Sequence, residues 1–269
     1  MRTAAAAFAA LLALTASMNA GAATQNFSAQ GSKRQTAPVI EAPAKTLTVG
    51  ERIVLEVSWF GIPIGTGTLE ITEKVNRGGR QAFHVVALAE TNEFLSKIYP
   101  IRDRAETYID TENFSSLEFK KTLSEGRYRA DEHIVFDAER KKGYWESVKN
   151  GTKKTVDIPG PVHDFLSAFF WFRLQPITVG KPVRTVINAE ERNWDLEIDV
   201  QKLEKKEFRN REPLWTVRVE PKSRLKGMLY DRGQSWVYFT VDARRVPVWV
   251  TLKTPFGPVN AVLKEPKTL

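Results

Sequence analysis

The chain has 269 residues, no cysteine, three histidines and a formal net charge of +8. Without cysteine there is no disulfide, no thiol nucleophile and no lipid-modified N-terminus, so the mature protein is expected not to be a lipoprotein and must fold on its hydrophobic core alone. Basic pairs such as Lys120-Lys121, Lys153-Lys154 and Arg244-Arg245 accompany no nucleic-acid motif; they read as a solubilising surface that also suits anionic envelope components.

Residues 1–23 carry Arg2, an Ala/Leu-rich run from Ala4 to about Ala16, and small residues ending in Ala20-Gly21-Ala22-Ala23. This is the pattern of a cleavable secretory signal, too short and alanine-rich for a retained anchor. The expected location is the periplasm, with no membrane span in the mature chain. Thr24 to Lys45 is rich in Gln, Ser, Ala, Pro and Thr and reads as a flexible leader. Residues 46–266 are expected to form one domain, mainly β: a curved antiparallel sheet, half-barrel to barrel-like.

Ile53, Leu55, Val57 and Trp59 alternate with Glu56 and Ser58, the period of a strand with one buried face. Gly61-Ile62-Pro63-Ile64-Gly65 reads as the turn and Gly67 to Glu73 as the returning strand. After Asn76-Arg77-Gly78-Gly79 come strands at Gln81–Ala89, Arg104–Asp110, Leu117–Ser124, Tyr128–Phe136 and Gly143–Val148, then a turn at Asn150-Gly151. Asp164 to Leu174 breaks the alternation. Asp164 suits an N-cap, Pro176 follows, and Phe165, Leu166, Phe169, Phe170, Trp171, Phe172 and Leu174 surround the axis, as in a helix buried on all sides. Strands resume at Val183–Asn188, Trp194–Leu203, Leu214–Val219, Gln234–Val241, Val246–Lys253 and Val259–Lys264. The strand around Trp236 and Tyr238 is apolar on both faces and needs two covers, the second a helix or a lipid-like ligand.

The Gly61/Gly65 turn, the Asp164/Ser167/Phe170/Arg173 helix and the Trp236/Tyr238/Thr240/Asp242/Arg244/Arg245/Pro247 ending, in this order, resemble the bacterial family called domain of unknown function 3108. The resemblance covers most of residues 46–266 and implies an exported protein without assigning a role. The expected architecture also resembles periplasmic lipoprotein carriers of the LolA and LolB kind, an analogy that does not carry function.

His84, His133 and His163 have no metal-ligand spacing, so neither metal nor cofactor is expected. Ser167 lies near His163 and Asp164 but inside a helix, with no glycine elbow to expose it. Gly61, Gly65 and Gly67 lack the lysine of a phosphate loop. Glu190-Glu191 precedes a strand with no sign of a cleft. No catalytic residue is assigned and the protein is not expected to be an enzyme. The surplus aromatics Trp59, Phe169, Phe170, Trp171, Trp236 and Tyr238 are the candidate ligand-binding residues, on the expectation that their elements converge. The first functional reading is a non-enzymatic carrier-like protein for a lipid or other amphiphile. The second is an envelope assembly or interaction factor binding a protein partner, and an unrecognised hydrolase comes last. Nucleic acid is not an expected partner.

Overall fold

The computed structural model describes residues 38–189, 191–209, 211–225, 228–229, 234–254 and 257–264. The proposed signal segment lies outside them, as does part of the proposed leader.

Strands β1 (Arg52–Trp59), β2 (Ile62–Arg77) and β3 (Arg80–Thr91) lead to a short helix, α1 (Glu93–Ser96). Then come β4 (Arg102–Asp110), β5 (Ser116–Glu125), β6 (Tyr128–Asp137), β7 (Lys142–Ser147) and β8 (Thr152–Asp157). After helix α2 (Phe165–Arg173) follow β9 (Val183–Ala189), β10 (Arg192–Phe208), β11 (Arg211–Leu225) and β12 (Met228–Leu229). The last strands are β13 (Ser235–Thr240), β14 (Pro247–Thr254) and β15 (Gly257–Leu263).

In space the order is β8-β7-β6-β5-β4-β3-β2-β1-β15-β14-β13-β11-β10-β9, with β12 paired on β11. Every pairing is antiparallel, so the sheet is two meanders joined where β1 meets β15, with Val57 opposite Ala261. Its edges, β8 and β9, are not paired to each other among the described residues. The connector after β8 runs between β5 and β9. Ser116 N–H donates to the Val162 carbonyl at 2.9 Å, and His163 forms a parallel bridge to Ile187 on β9.

The alternation read from the sequence is the observed one in β1, where Ile53, Leu55 and Val57 are buried and Arg52 and Glu56 exposed. The turn beyond it is shorter than expected. Phe60 and Gly61, both at positive φ (49° and 78°), turn the chain as a two-residue hairpin. Ile62 already pairs with Trp59, so Gly65 and Gly67 are strand residues opposite Val57 and Leu55. Strand β8 was not anticipated, and β10 and β11 run well beyond the expected bounds.

Helix α2 occupies one end of the rolled sheet, with each face against a different wall. Phe165 and Leu166 join Leu55, Val57, Phe119, Ile134 and Phe136. Ala168 and Phe172 join Trp194, Leu196, Val217 and Phe239. Phe170 joins Leu47, Ile71, Phe83, Val85 and Ile109. A helix apolar all round is thus the internal plug that its composition predicts.

Residues 38–45, assigned by composition to the flexible leader, are instead tied across this end. Glu41 and Ala44 N–H groups donate to the Val241 and Ala243 carbonyls, each at 2.9 Å, and Ile40 packs on the core. The turns β2–β3, β4–β5, β6–β7 and β13–β14 share this plugged end. At the other, open end lie the turns β1–β2, β5–β6 and β7–β8 and the α1 segment between β3 and β4.

The second apolar face of β13 and β14 is not covered by a helix. The end of the β10–β11 hairpin folds back over it, with Lys206 Nζ 3.9 Å from the Tyr238 ring centre and Phe208 6.1 Å from Trp249.

Candidate functional site

The six candidate aromatics do not converge. Phe169, Phe170 and Trp171 sit in the plug. Trp236 and Tyr238 project from the opposite face of β13 to Val237, which packs with the plug, and Tyr238 lies under Lys206 of the β10–β11 hairpin. Trp59 stands at the open end, 39% exposed beside Phe60 at 5.3 Å. Strand parity explains the separation: residues one apart on β13 face opposite sides of the sheet.

Much of the concave face is closed to solvent. Gly65 and Gly67 are buried, Ala87, Ala89 and Ala261 are inaccessible to solvent, and Ala105 nearly so. Small side chains on the inner wall of an open cavity would remain accessible; here they let the opposing walls close on each other. Partial exposure returns at Leu69, Lys121, Glu132, Trp145, Val250 and Leu252.

The polar groups around α2 hold structure. Asp164 Oδ1 accepts the N–H groups of Leu166 and Ser167 at 2.7 and 3.0 Å, and Thr107 Oγ1 donates to Oδ2 at 2.5 Å. Ser167 Oγ is spent on the Asp164 carbonyl at 3.1 Å. Burial pushes the Asp164 carboxyl up and holds the His163 imidazole down at about 4, so it is neutral near pH 7. This is a helix cap, without the geometry of a triad. At the helix C-terminus the Arg173 guanidinium, itself buried, meets Glu51 and the Arg244 and Arg245 carbonyls, while Arg245 reaches the Gln175 and Glu41 carbonyls. A cleft of about 320 Å³ beside this staple is lined by Leu47, Val49, Glu51, Arg52, Arg173 and Arg244.

Two features mark the open end. The first is a buried carboxyl pair, Asp103 on β4 and Glu125 on β5, hydrogen-bonded to each other. Asp103 Oδ1 accepts the Ser124 N–H at 2.8 Å, leaving Asp103 Oδ2 and Glu125 Oε1 without another partner. Burial raises both carboxyls; at Glu125 the Asp103 charge adds to it and brings the group to about 7, whereas the bond from Glu125 lowers Asp103, so Glu125 holds the proton that the pair shares.

The second is apolar exposure. Of twelve well-exposed large apolar side chains among the described residues, six lie on three loops here: Trp59, Phe60 and Ile62, then Phe94 and Ile98, then Tyr128. The loops touch. Asn92 Nδ2 donates to the Pro63 carbonyl at 2.7 Å, and Gly126 N–H to Pro100 at 2.8 Å. Phe60 lies against Gly257, where an added Cβ would fall 2.3 Å from its ring. Sequence reasoning missed this patch, although Trp-Phe-Gly-Ile in a tight turn was its signal: turns are ordinarily polar.

The family described as protein of unknown function (DUF3108) matches residues 54–264. The chain belongs to this family. No curated protein matches it. A solved structure of a beta-barrel-like protein of the domain of unknown function DUF1849 from Brucella abortus is similar at 10% identity and a TM-score of 0.47, over 80% of this chain and 95% of that one. A protein inferred to be exported, with a YmcC-like fold, from Bacteroides fragilis is similar at 10% identity and a TM-score of 0.28, over 84% and 98%. At these scores neither likeness informs function.

In this DUF3108 chain the residues that carried the family resemblance mostly have architectural positions. Gly61 turns β1 into β2, Asp164 caps the plug, Phe170 fills it and Arg173 with Arg245 staples it. Asp242 Oδ1 accepts the Arg244 and Arg245 N–H groups in the β13–β14 turn, at 3.0 and 3.2 Å. None of these lies on the three exposed loops except Gly61.

Proposed function

We propose that this protein is a non-enzymatic interaction factor of the bacterial envelope that binds by its surface, at the open end, and does not carry a ligand inside. The carrier reading and the interaction reading part on whether the concave face holds a deep apolar cavity. The supporting observation is the solvent exclusion of Ala87, Ala89 and Ala261 on that face, set against the concentrated exposure of Phe60, Ile62, Phe94 and Ile98 at the open end. Scattered single apolar residues are normal on a surface; a cluster on adjoining loops at one pole marks a binding face. The periplasmic location follows from the signal-like N-terminus and is part of the proposal.

The test is photocrosslinking in intact cells, with p-benzoylphenylalanine placed at position 94 and, in a separate variant, at position 144 on the outer face of β7. Adducts from position 94 and none from position 144 are expected. No adduct from 94, or one stoichiometric acyl chain retained by detergent-free protein with Ala89 protected by it, would return the site to the interior.

A further inference from the structure

We propose that the open end is a membrane-docking face that seats on an anionic lipid surface; this rests on the reading that the open end is the binding face. The first argument is the α1 segment. Tyr99 N–H donates to the Leu95 carbonyl at 2.7 Å, so the turn is helical through Tyr99 and residues four apart share a side. Leu95 and Tyr99 pack onto the core, which turns Phe94 and Ile98 outward, 74% and 62% exposed. The segment is therefore apolar on both sides, one for the protein and one for something else.

The second argument is the form of the surface. Its apolar groups are side chains at the tips of separate turns, with exposed Lys97, Arg102, Arg127, Arg129 and Lys253 on the same loops or the adjoining strand ends, against exposed Glu90 and Glu93. The core of a protein interface is depleted in lysine and flat enough to exclude water. Apolar and aromatic tips ringed by cations instead match a bilayer interface, where rings settle among headgroups and lysine and arginine meet lipid phosphate. Pro38 and Lys264 are at the plugged end, away from this face.

Protein recovered from the envelope in its processed form is floated with vesicles of phosphatidylethanolamine containing phosphatidylglycerol, or of phosphatidylcholine alone. Binding to the first, weakened by salt, is expected. The double variant Phe94→Asp/Ile98→Asp, with an unchanged circular dichroism spectrum, should bind more than about tenfold more weakly. Lys97→Gln and Arg127→Gln should each cost about fivefold. Val39→Asp, at the plugged end, should change nothing. If the double variant does not fold, the two charge variants and the salt dependence carry the test. Absence of vesicle binding, or equal loss in Val39→Asp, overturns the proposal. A protein adduct from position 94 without vesicle binding would overturn membrane docking and leave the surface-binding function standing; failure of both measurements would remove both.

Discussion

Replacing Glu125 by glutamine should stabilise the protein at alkaline pH and leave it unchanged in mild acid. In the wild type, Glu125 and Asp103 face each other in a buried site, where burial and the Asp103 charge raise Glu125 and Lys121 lowers it, and burial and both carboxyls push the Tyr99 phenol up. Glu125 titrates at about 7 in the fold against an ordinary 4.5. A carboxyl raised on folding binds its proton more tightly in the native state, so native stability is full below about pH 4.5, falls as pH rises to 7, and stays reduced above. The 2.5-unit interval corresponds to about 3 kcal/mol. In Glu125→Gln the amide N–H takes over the bond to Asp103 at every pH. Urea unfolding at pH 4.5 and at pH 8 measures the difference: close to zero at the first, about 3 kcal/mol in favour of the variant at the second. A difference of the same size at both values, or one favouring the wild type at pH 8, would refute the shared-proton account.

Phe170→Ala should cost about 3–5 kcal/mol by leaving a cavity between α2 and the β2–β4 wall, read as a shift in unfolding midpoint with the m-value retained. Arg173→Met removes one side of a buried pair and strands Glu51; a loss of about 3–5 kcal/mol is expected, with Glu51→Gln milder because the guanidinium keeps its carbonyl partners. His163, at about 4 against an ordinary 6.5, contributes stability that is present above pH 6.5 and lost as pH falls towards 4. His163→Phe should flatten that acid limb, and NMR titration of the wild type should show the imidazole neutral at pH 5.

What the sequence made legible was whatever repeats with a physical period or ends in a cap. Strand β1 was readable because water lies on one face only, and α2 because an Asp precedes an unbroken aromatic run before a proline. Strand β8 was not, since Thr152-Lys153-Lys154-Thr155 is an edge exposed along nearly its whole length, and exposure erases alternation. The glycines misled by chemistry common to two roles: Gly61 turns the chain, whereas Gly65 thins the inner wall. Parity told that Trp236 and Val237 face opposite ways but not which side was concave, so an outer aromatic patch was counted as an inner one. The Asp103–Glu125 pair depends on two strands meeting in register, which spacing along the chain does not encode.

The two ends of the sheet are built by different kinds of contact, and that difference supports the proposed binding face. At the plugged end, Glu41, Glu51, Arg173, Gln175 and Arg245 come from three distant stretches, and the buried Arg173 and Arg245 guanidiniums meet Glu51 and the Gln175 and Glu41 carbonyls only when both meanders have closed around α2. Substitution there is costly because each group would be left unpaired in a dry site. At the open end the loops are short and local, held by backbone bonds such as Asn92 to Ile64, and their outward side chains bear no load on the core. Ile62, Phe94 and Ile98, each more than 60% exposed, bury little apolar area in the fold, and they raise the risk of aggregation. Residues that fold does not require, gathered on loops that a rigid scaffold positions, are where binding energy is available to be used on another molecule.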